Sequence, residues 1–356
     1  MRVCAVSLPE LRIELVREEL DASSANLPLA VVVAPAPMTE TKLLGNTRLS
    51  VVSREARALG VLPGHTIAQA RARAGDLAVR VVRPDAVRDV LARIAEVGLA
   101  FGATVSFGME GEGSEAVSEQ AQGATLHMPG GAKTKAKAKV SKNKGTVGFG
   151  DVVWIDVTGC AHLHAPSSAH SIFDGETILA SRLAGVISSL GHVCTIAIAD
   201  GPRVAAMLAH TAAESAARAS ITVRARKAHG PSGLPVFEPI VVRPGENAAA
   251  LAPLSVAVLP LPAEDVRWLA KIGIRTIHEM RALPRSGLGA RLGARARDVL
   301  GLIDGEDRAP LAPYIPPEVP EEEAVLEYGV EGTQALTFVA KTLTDRLAAR
   351  LQGRCV

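Results

Sequence analysis

The amino-acid sequence predicts an α+β fold: a ferredoxin-like βαββαβ unit with a small block inserted after its first strand and helical elements after its last. Three observations carry this expectation. Short β-branched or apolar runs stand at 2–6, 104–107, 151–158 and 193–199. Two helical patterns, over 85–101 and from Ile178 to Leu190, separate them in the order β-α-β-β-α-β. The block 11–77 between the first strand and the first of these helices is Arg-rich and locally closed, as an excursion would be.

Each element has its own signal. Arg2-Val-Cys-Ala-Val6 is the first strand, ending at Ser7-Leu8-Pro9. Residues 11–20 read as helix, and Leu29–Val33 and Leu49–Ser53 as strands. Glu55 to Gly60 is a short helix stopped by glycine, Pro63-Gly64 a turn, and Thr66 the cap of a helix to about Ala74. Val87, Val90, Leu91, Ile94, Val97 and Phe101 lie on one helical face. Leu179, Leu183, Val186, Ile187 and Leu190 do the same, with Gly191 as the stop. A helix near 202–216 follows the fourth strand.

Asp151-Val-Val-Trp-Ile-Asp-Val-Thr158 is the most informative stretch. It reads as a buried strand that carries two acids, and a buried carboxylate needs a partner or hydrogen bonds. In the βαββαβ topology strand three runs antiparallel beside strand one, which puts Asp151 next to Ser7. The segment 108–149 interrupts the hairpin at the same end. It begins with Glu110, Glu112, Glu115 and Glu119 and then carries Lys133, Lys135, Lys137, Lys139, Lys142 and Lys144 without an apolar face, so it reads as a disordered basic insertion.

Composition narrows the classes. At 356 residues the chain is too long for one small core, and 48% hydrophobic content excludes wholesale disorder. No apolar run reaches about 18 residues, so no membrane span is expected, and no secretory core opens the chain. Cys4, Cys160, Cys194 and Cys355 are scattered without a CxxC, which fits a reducing cytoplasm and argues against a disulfide frame or zinc ribbon. Aromatics at 3% argue against a base-stacking platform.

Beyond about 250 the pattern becomes helical. Leu269-Ala-Lys-Ile-Gly-Ile-Arg-Thr-Ile-His-Glu-Met280 has the form of a helix-hairpin-helix, and 283–293 offers a looser turn of the same kind. Such a turn can present backbone N–H groups to a phosphate, with Lys271, Gly273, Arg275 and Arg285 as the DNA-contact candidates. Residues 310–324 read as a linker. Thr333 then opens a helix with Leu336, Val339, Leu343, Leu347 and Leu351 on one face.

Taken together, these motifs resemble the Y-family (translesion, UmuC/DinB-type) DNA polymerases over about residues 2–352 apart from the insertion. Ser53-Arg-Glu-Ala-Arg-Ala-Leu-Gly-Val61 looks like the fingers segment, the Asp151 strand like the palm strand, and 269–280 like the thumb hairpin. The resemblance implies a palm over 1–10 and 78–220, fingers over 11–77, a thumb over 250–312 and part of a little finger domain over 325–356. In an active member an acid near the end of strand one and an Asp-Glu pair opening strand three hold two Mg²⁺ ions. Here those positions fall on Ser7, Asp151 and Val152, and the aromatic sugar-gate position on Arg12. Asp151 is left as a weak cation ligand, while Arg54 and Arg57 are vestiges of the nucleotide-phosphate site. Glu10 and Glu14 could replace the lost acids only if the strand-to-helix corner were rebuilt.

Val6-Ser-Leu-Pro-Glu-Leu11 and Trp154-Ile-Asp-Val-Thr-Gly-Cys-Ala-His-Leu163 resemble the ImuB branch of the family, whose polymerase site is degenerate. That implies a cytoplasmic bacterial adaptor in SOS-type, damage-induced mutagenesis rather than an enzyme, with no cofactor. Its implied partners are damaged primer–template DNA, an error-prone C-family polymerase, a RecA-like ImuA protein and the sliding clamp. Gln334-Ala-Leu-Thr-Phe338 loosely resembles a clamp-binding pentapeptide. The rival expectation is a working Mg²⁺-dependent nucleotidyltransferase with rearranged ligands. Asp156 reads as structural, and Cys160, His162 and His164 as turn residues rather than zinc ligands.

Overall fold

The computed structural model describes residues 1–18, 20, 27–35, 38–109, 150–164, 172–222, 237–324, 326 and 332–354. In chain order, β1 (Arg2–Ser7) leads into α1 (Leu11–Glu18), then β2 (Leu29–Val33), β3 (Val51–Val52), α2 (Arg54–Ala58), α3 (Ile67–Arg71) and β4 (Ala78–Val82). Next come α4 (Pro84–Gly98), β5 (Thr104–Gly108), β6 (Val152–Asp156), α5 (Ala161–His164), α6 (Ile172–Ser189), β7 (Thr195–Asp200) and α7 (Pro202–Thr222). The remainder comprises β8 (Ile240–Val241), α8 (Asn247–Leu251), α9 (Ala263–Lys271), α10 (Ile277–Arg281), α11 (Arg285–Leu292), α12 (Ala296–Ile303) and α13 (Thr333–Gly353).

The main sheet has the order β5-β6-β1-β7-β8. Its first four strands are antiparallel neighbours in the ferredoxin-like arrangement expected from the element order. The β8 strand, too short to leave a periodic signal, adds parallel to β7. Side chains alternate between two cores, as the pleat requires. Cys4, Val6, Val153 and Ile155 face one core with α4 and α6, while Val3, Ala5, Val152 and Trp154 face the other with α7 and the helices after 250. Leu91, Leu179, Leu183 and Ile187 are fully buried, and each contributes about 1.5–3 kcal/mol.

The inserted block has its own sheet, of order β3-β2-β4. The β4 strand pairs in parallel with β2 from Leu29↔Ala78 to Val33↔Val82. These five residues therefore belong to the small sheet, and the block runs past the expected boundary at 77. Ser53 caps α2, and Thr66 with Gln69 forms a capping box on α3.

Two part-buried contacts hold the C-terminal part in place. Asp307 accepts hydrogen bonds from the Arg203 and Val204 amides at the start of α7 and from Arg203 Nε. The segment around Tyr314 lies against β5, the outer strand of the sheet, the Tyr314 amide donating to Val105 O at 2.7 Å. Helix α13 then packs on α4. Its expected apolar face is only half-buried or exposed, and its buried residues are Arg350 and Gly353. Arg350 Nε lies 2.8 Å from Glu96 Oε2, and Nη1 2.7 Å from Glu322 Oε1. An ionic contact, not the leucine stripe, fixes this helix.

Candidate functional site: the corner of strands one and three

Ser7 pairs with Val152 across β1 and β6, and the Leu8 amide donates to Asp151 O at 2.9 Å. The topology thus brings together the three positions that the resemblance singled out. Leu8 and Leu11 are fully buried on either side of the Pro9-Glu10 turn, and they fix the entry of α1 so that its first turn passes over this corner. Arg12, in that turn, reaches Asp151 with two nitrogens: Nε to Oδ2 at 2.8 Å and Nη2 to Oδ1 at 2.9 Å. Both side chains are 5% exposed. Such a two-point guanidinium–carboxylate pair is the strong, directional kind.

The residues of the corner do not fit Mg²⁺. The ion needs an octahedron of oxygen ligands with anionic carboxylates among them. Ser7 is buried and brings only a hydroxyl, Val152 brings no donor atom, and both oxygens of Asp151 are held by Arg12. Among the described residues no group of three or more His, Cys, Asp or Glu side chains could hold a metal. Asp151, expected as a weak cation ligand, has a guanidinium as its counter-charge in this structure.

The neighbouring acids do not replace the missing ones. Glu14 accepts from the Val193 amide at 2.8 Å and lies 2.9 Å from His192 Nδ1. Burial, with Glu14 close by, raises the Glu10 carboxyl above its ordinary range, which disfavours the anion that a metal would need. Arg17, at the far end of α1, bonds Glu55 at 2.6 Å and so ties α1 to α2, the helix that carries Arg54 and Arg57. Arg57 Nε is buried with no hydrogen-bond partner among the described residues. Asp156 accepts from the Thr158 amide and hydroxyl, at 3.0 and 2.6 Å, and serves the turn.

The helical hairpin joining α9 and α10 turns at Gly273, with φ +87°. Lys271 and Arg275 are exposed beside it. The backbone N–H groups of the turn, however, are used internally. Those of Ile272, Gly273 and Ile274 bond carbonyls of α9, and those of Arg275 and Thr276 bond Glu279 Oε2 at 2.7 and 2.9 Å. The expected presentation of free amides to phosphate is not found in this turn; the capping box formed by Thr276 and Glu279 consumes them. Arg285 is exposed but held by Asp304 through two contacts of 2.7 and 2.6 Å. Its charge is largely balanced in place. Lys133, Lys135, Lys137 and Lys139 lie outside the described residues, although Gly108, which ends β5 just before that segment, pairs with Val152 beside the corner.

Two buried arginine partnerships, Arg12 with Asp151 and Arg350 with Glu96, and a part-buried one, Arg2 with Glu176 and Asp200, left no mark in the sequence pattern. The one available signal was that a buried strand acid requires a partner.

No family model matches the sequence. DNA polymerase IV of Dehalococcoides mccartyi (strain CBDB1) is 28% identical over 211 residues, which cover 57% of this chain and 45% of that protein. The chain thus spans less than half the length of the curated relative it matches. Among solved structures, an insertion ternary complex of Dbh DNA polymerase superposes with a TM-score of 0.55 at 17% identity, covering 87% of this chain and 69% of that one. DinB from Sulfolobus solfataricus gives 0.53 at 16% identity over the same shares. A Y-family DNA polymerase chimera built on Dbh gives 0.55 at 17% identity, over 98% of this chain and 80% of the other. The chain has the fold of the Y-family DNA polymerases and is similar in sequence to one of the DNA polymerases IV.

Proposed function

We propose that this chain is a non-catalytic, polymerase-like DNA-repair protein that binds damaged primer–template DNA and recruits an active polymerase for error-prone translesion synthesis. The observation that carries the reading is the Arg12–Asp151 pair in a corner where Ser7 and Val152 replace the other acids. A polymerase fold that lacks its metal ligands retains the scaffold's use, which is to hold DNA and partners. On this reading the protein needs no cofactor. The exposed Lys271 and Arg275, with the lysines at 133–139, are the candidate phosphate contacts. Arg285, also a candidate contact, is exposed but would have to give up its pairing with Asp304 to reach a phosphate. A C-family polymerase, a RecA-like ImuA protein and the sliding clamp are the proposed partners, the last through Gln334–Phe338, where Leu336 and Phe338 are exposed.

Binding of a fluorescent primer–template across a salt series tests the DNA half of the proposal. Each lost phosphate contact should flatten the log–log slope by about 0.9, so Lys271→Ala and Arg275→Ala together should flatten it by about 1.8. Stimulation of abasic-site bypass by an added C-family polymerase tests the recruiting half. A chain that neither binds the duplex nor alters bypass would sink the proposal.

A further inference from the structure

We infer that the Arg12 guanidinium occupies the cation's place in this corner, so that divalent metal is excluded by an internal positive charge as well as by the loss of two acids. The inference deepens the non-catalytic reading and rests on it. Three features support it. The guanidinium makes two parallel contacts to one carboxylate, at 2.8 and 2.9 Å, and so uses both oxygens that a metal would take. Both groups are almost out of water, where a lone carboxylate requires a counter-charge and a second cation beside the first would be repelled. The pair also spans the fold's central joint: Arg12 sits on the first turn of α1 and Asp151 just before β6, 139 residues apart. The Asp151 carboxylate therefore has its counter-charge in place before any ion arrives.

It follows that restoring the acids is not sufficient to restore metal binding. The variant Ser7→Asp/Val152→Glu keeps Arg12 and should bind Mn²⁺ at least about tenfold more weakly than the triple variant that adds Arg12→Leu, a factor equivalent to about 1.4 kcal/mol. Binding would be read from the free-ion electron paramagnetic resonance signal, without DNA. Equal affinity of the two folded variants, or no binding by a folded triple variant, would overturn the inference.

A second comparison stands if the triple variant does not fold. Arg12→Leu alone takes from the buried Asp151 carboxylate its two guanidinium contacts and should lower the melting temperature by about 5–10 °C. Adding Asp151→Asn removes the buried charge that Arg12 had balanced and should recover most of that loss. No recovery would show that the pair does not act as a matched charge, and the inference would fail. Primer extension by the unaltered protein is a separate result. It would refute the non-catalytic reading, whereas the Mn²⁺ and melting comparisons address Arg12 alone.

Discussion

Replacing Arg350 by Met should release the last helix while leaving the main sheet folded. Arg350 is 6% exposed in its side chain, and Glu96, its principal partner, is 1% exposed. The guanidinium also reaches Glu322 Oε1 at 2.7 Å and Glu321 O at 2.6 Å. Removing one member of a buried pair costs about 3–5 kcal/mol. Arg354 Nη2, 3.1 Å from Glu96 Oε2, would still neutralise part of the orphaned carboxylate. The lower end, about 3 kcal/mol, is therefore the appropriate figure. Little apolar burial opposes release, since Leu336 and Phe338 are 49% and 73% exposed and the helix's other leucines are half-buried. A loss of about 3 kcal/mol raises the local opening equilibrium by about 100-fold. Native-state hydrogen exchange should then show residues 340–353 exchanging about 100-fold faster, with β1 and β6 unchanged. Unchanged protection in that helix would refute the ionic-latch reasoning, and equal loss in β1 and β6 would refute its local character.

Other measurements probe neighbouring features. Burial, then the Glu96 carboxylate, pushes the Tyr314 phenol up to about 12. With Tyr328, the chain's other tyrosine, replaced by Phe, the phenolate absorbance should rise with a midpoint near 12, and Glu96→Gln should move it toward the usual 10. Because the folded value lies above the unfolded one, this group's stabilising contribution is complete below about pH 10 and is lost as pH rises toward 12. Burial, with Glu14 nearby, likewise pushes the Cys194 thiol up to about 12 and holds it neutral. Thiol labelling of the native protein at pH 8 should reach the half-exposed Cys160 well before Cys4 or Cys194, and equal rates would contradict the packing. Asp307→Ala removes the acceptor for two amides at the start of α7 and should cost about 1–2 kcal/mol in urea unfolding. A shift below about 0.3 kcal/mol would deny it a capping role.

Much of the architecture was legible because local periodicity and a topological rule act together. The β-branched runs and the helical faces of 85–101 and 178–190 fix the element order, and that order alone places Ser7 beside Asp151. Shorter or non-local features were not legible. Ala78-Val-Arg-Val-Val82 becomes a strand because it pairs with Leu29–Val33 across the inserted block, and the polar Arg80, 3.4 Å from Glu40, interrupts its apolar run. The leucine stripe of 336–351 reveals a helix but not what holds it, since the docking groups are Arg350, Arg354 and Gly353. A Cβ on Gly353 would collide with the Glu96 carbonyl oxygen, a closeness no sequence pattern encodes. At the corner the substituted acids could be read directly. The partner of Asp151 could not, because long-range charge pairing has no period.

Primer extension on an abasic-site template, with Mg²⁺ and then Mn²⁺ and beside an active Y-family enzyme, distinguishes a corner closed by Arg12 from a working one. No extension by this chain is expected under conditions where it retains the duplex. Extension that is abolished by Asp151→Ala would contradict it, because that carboxylate would then be acting on a metal and not on Arg12.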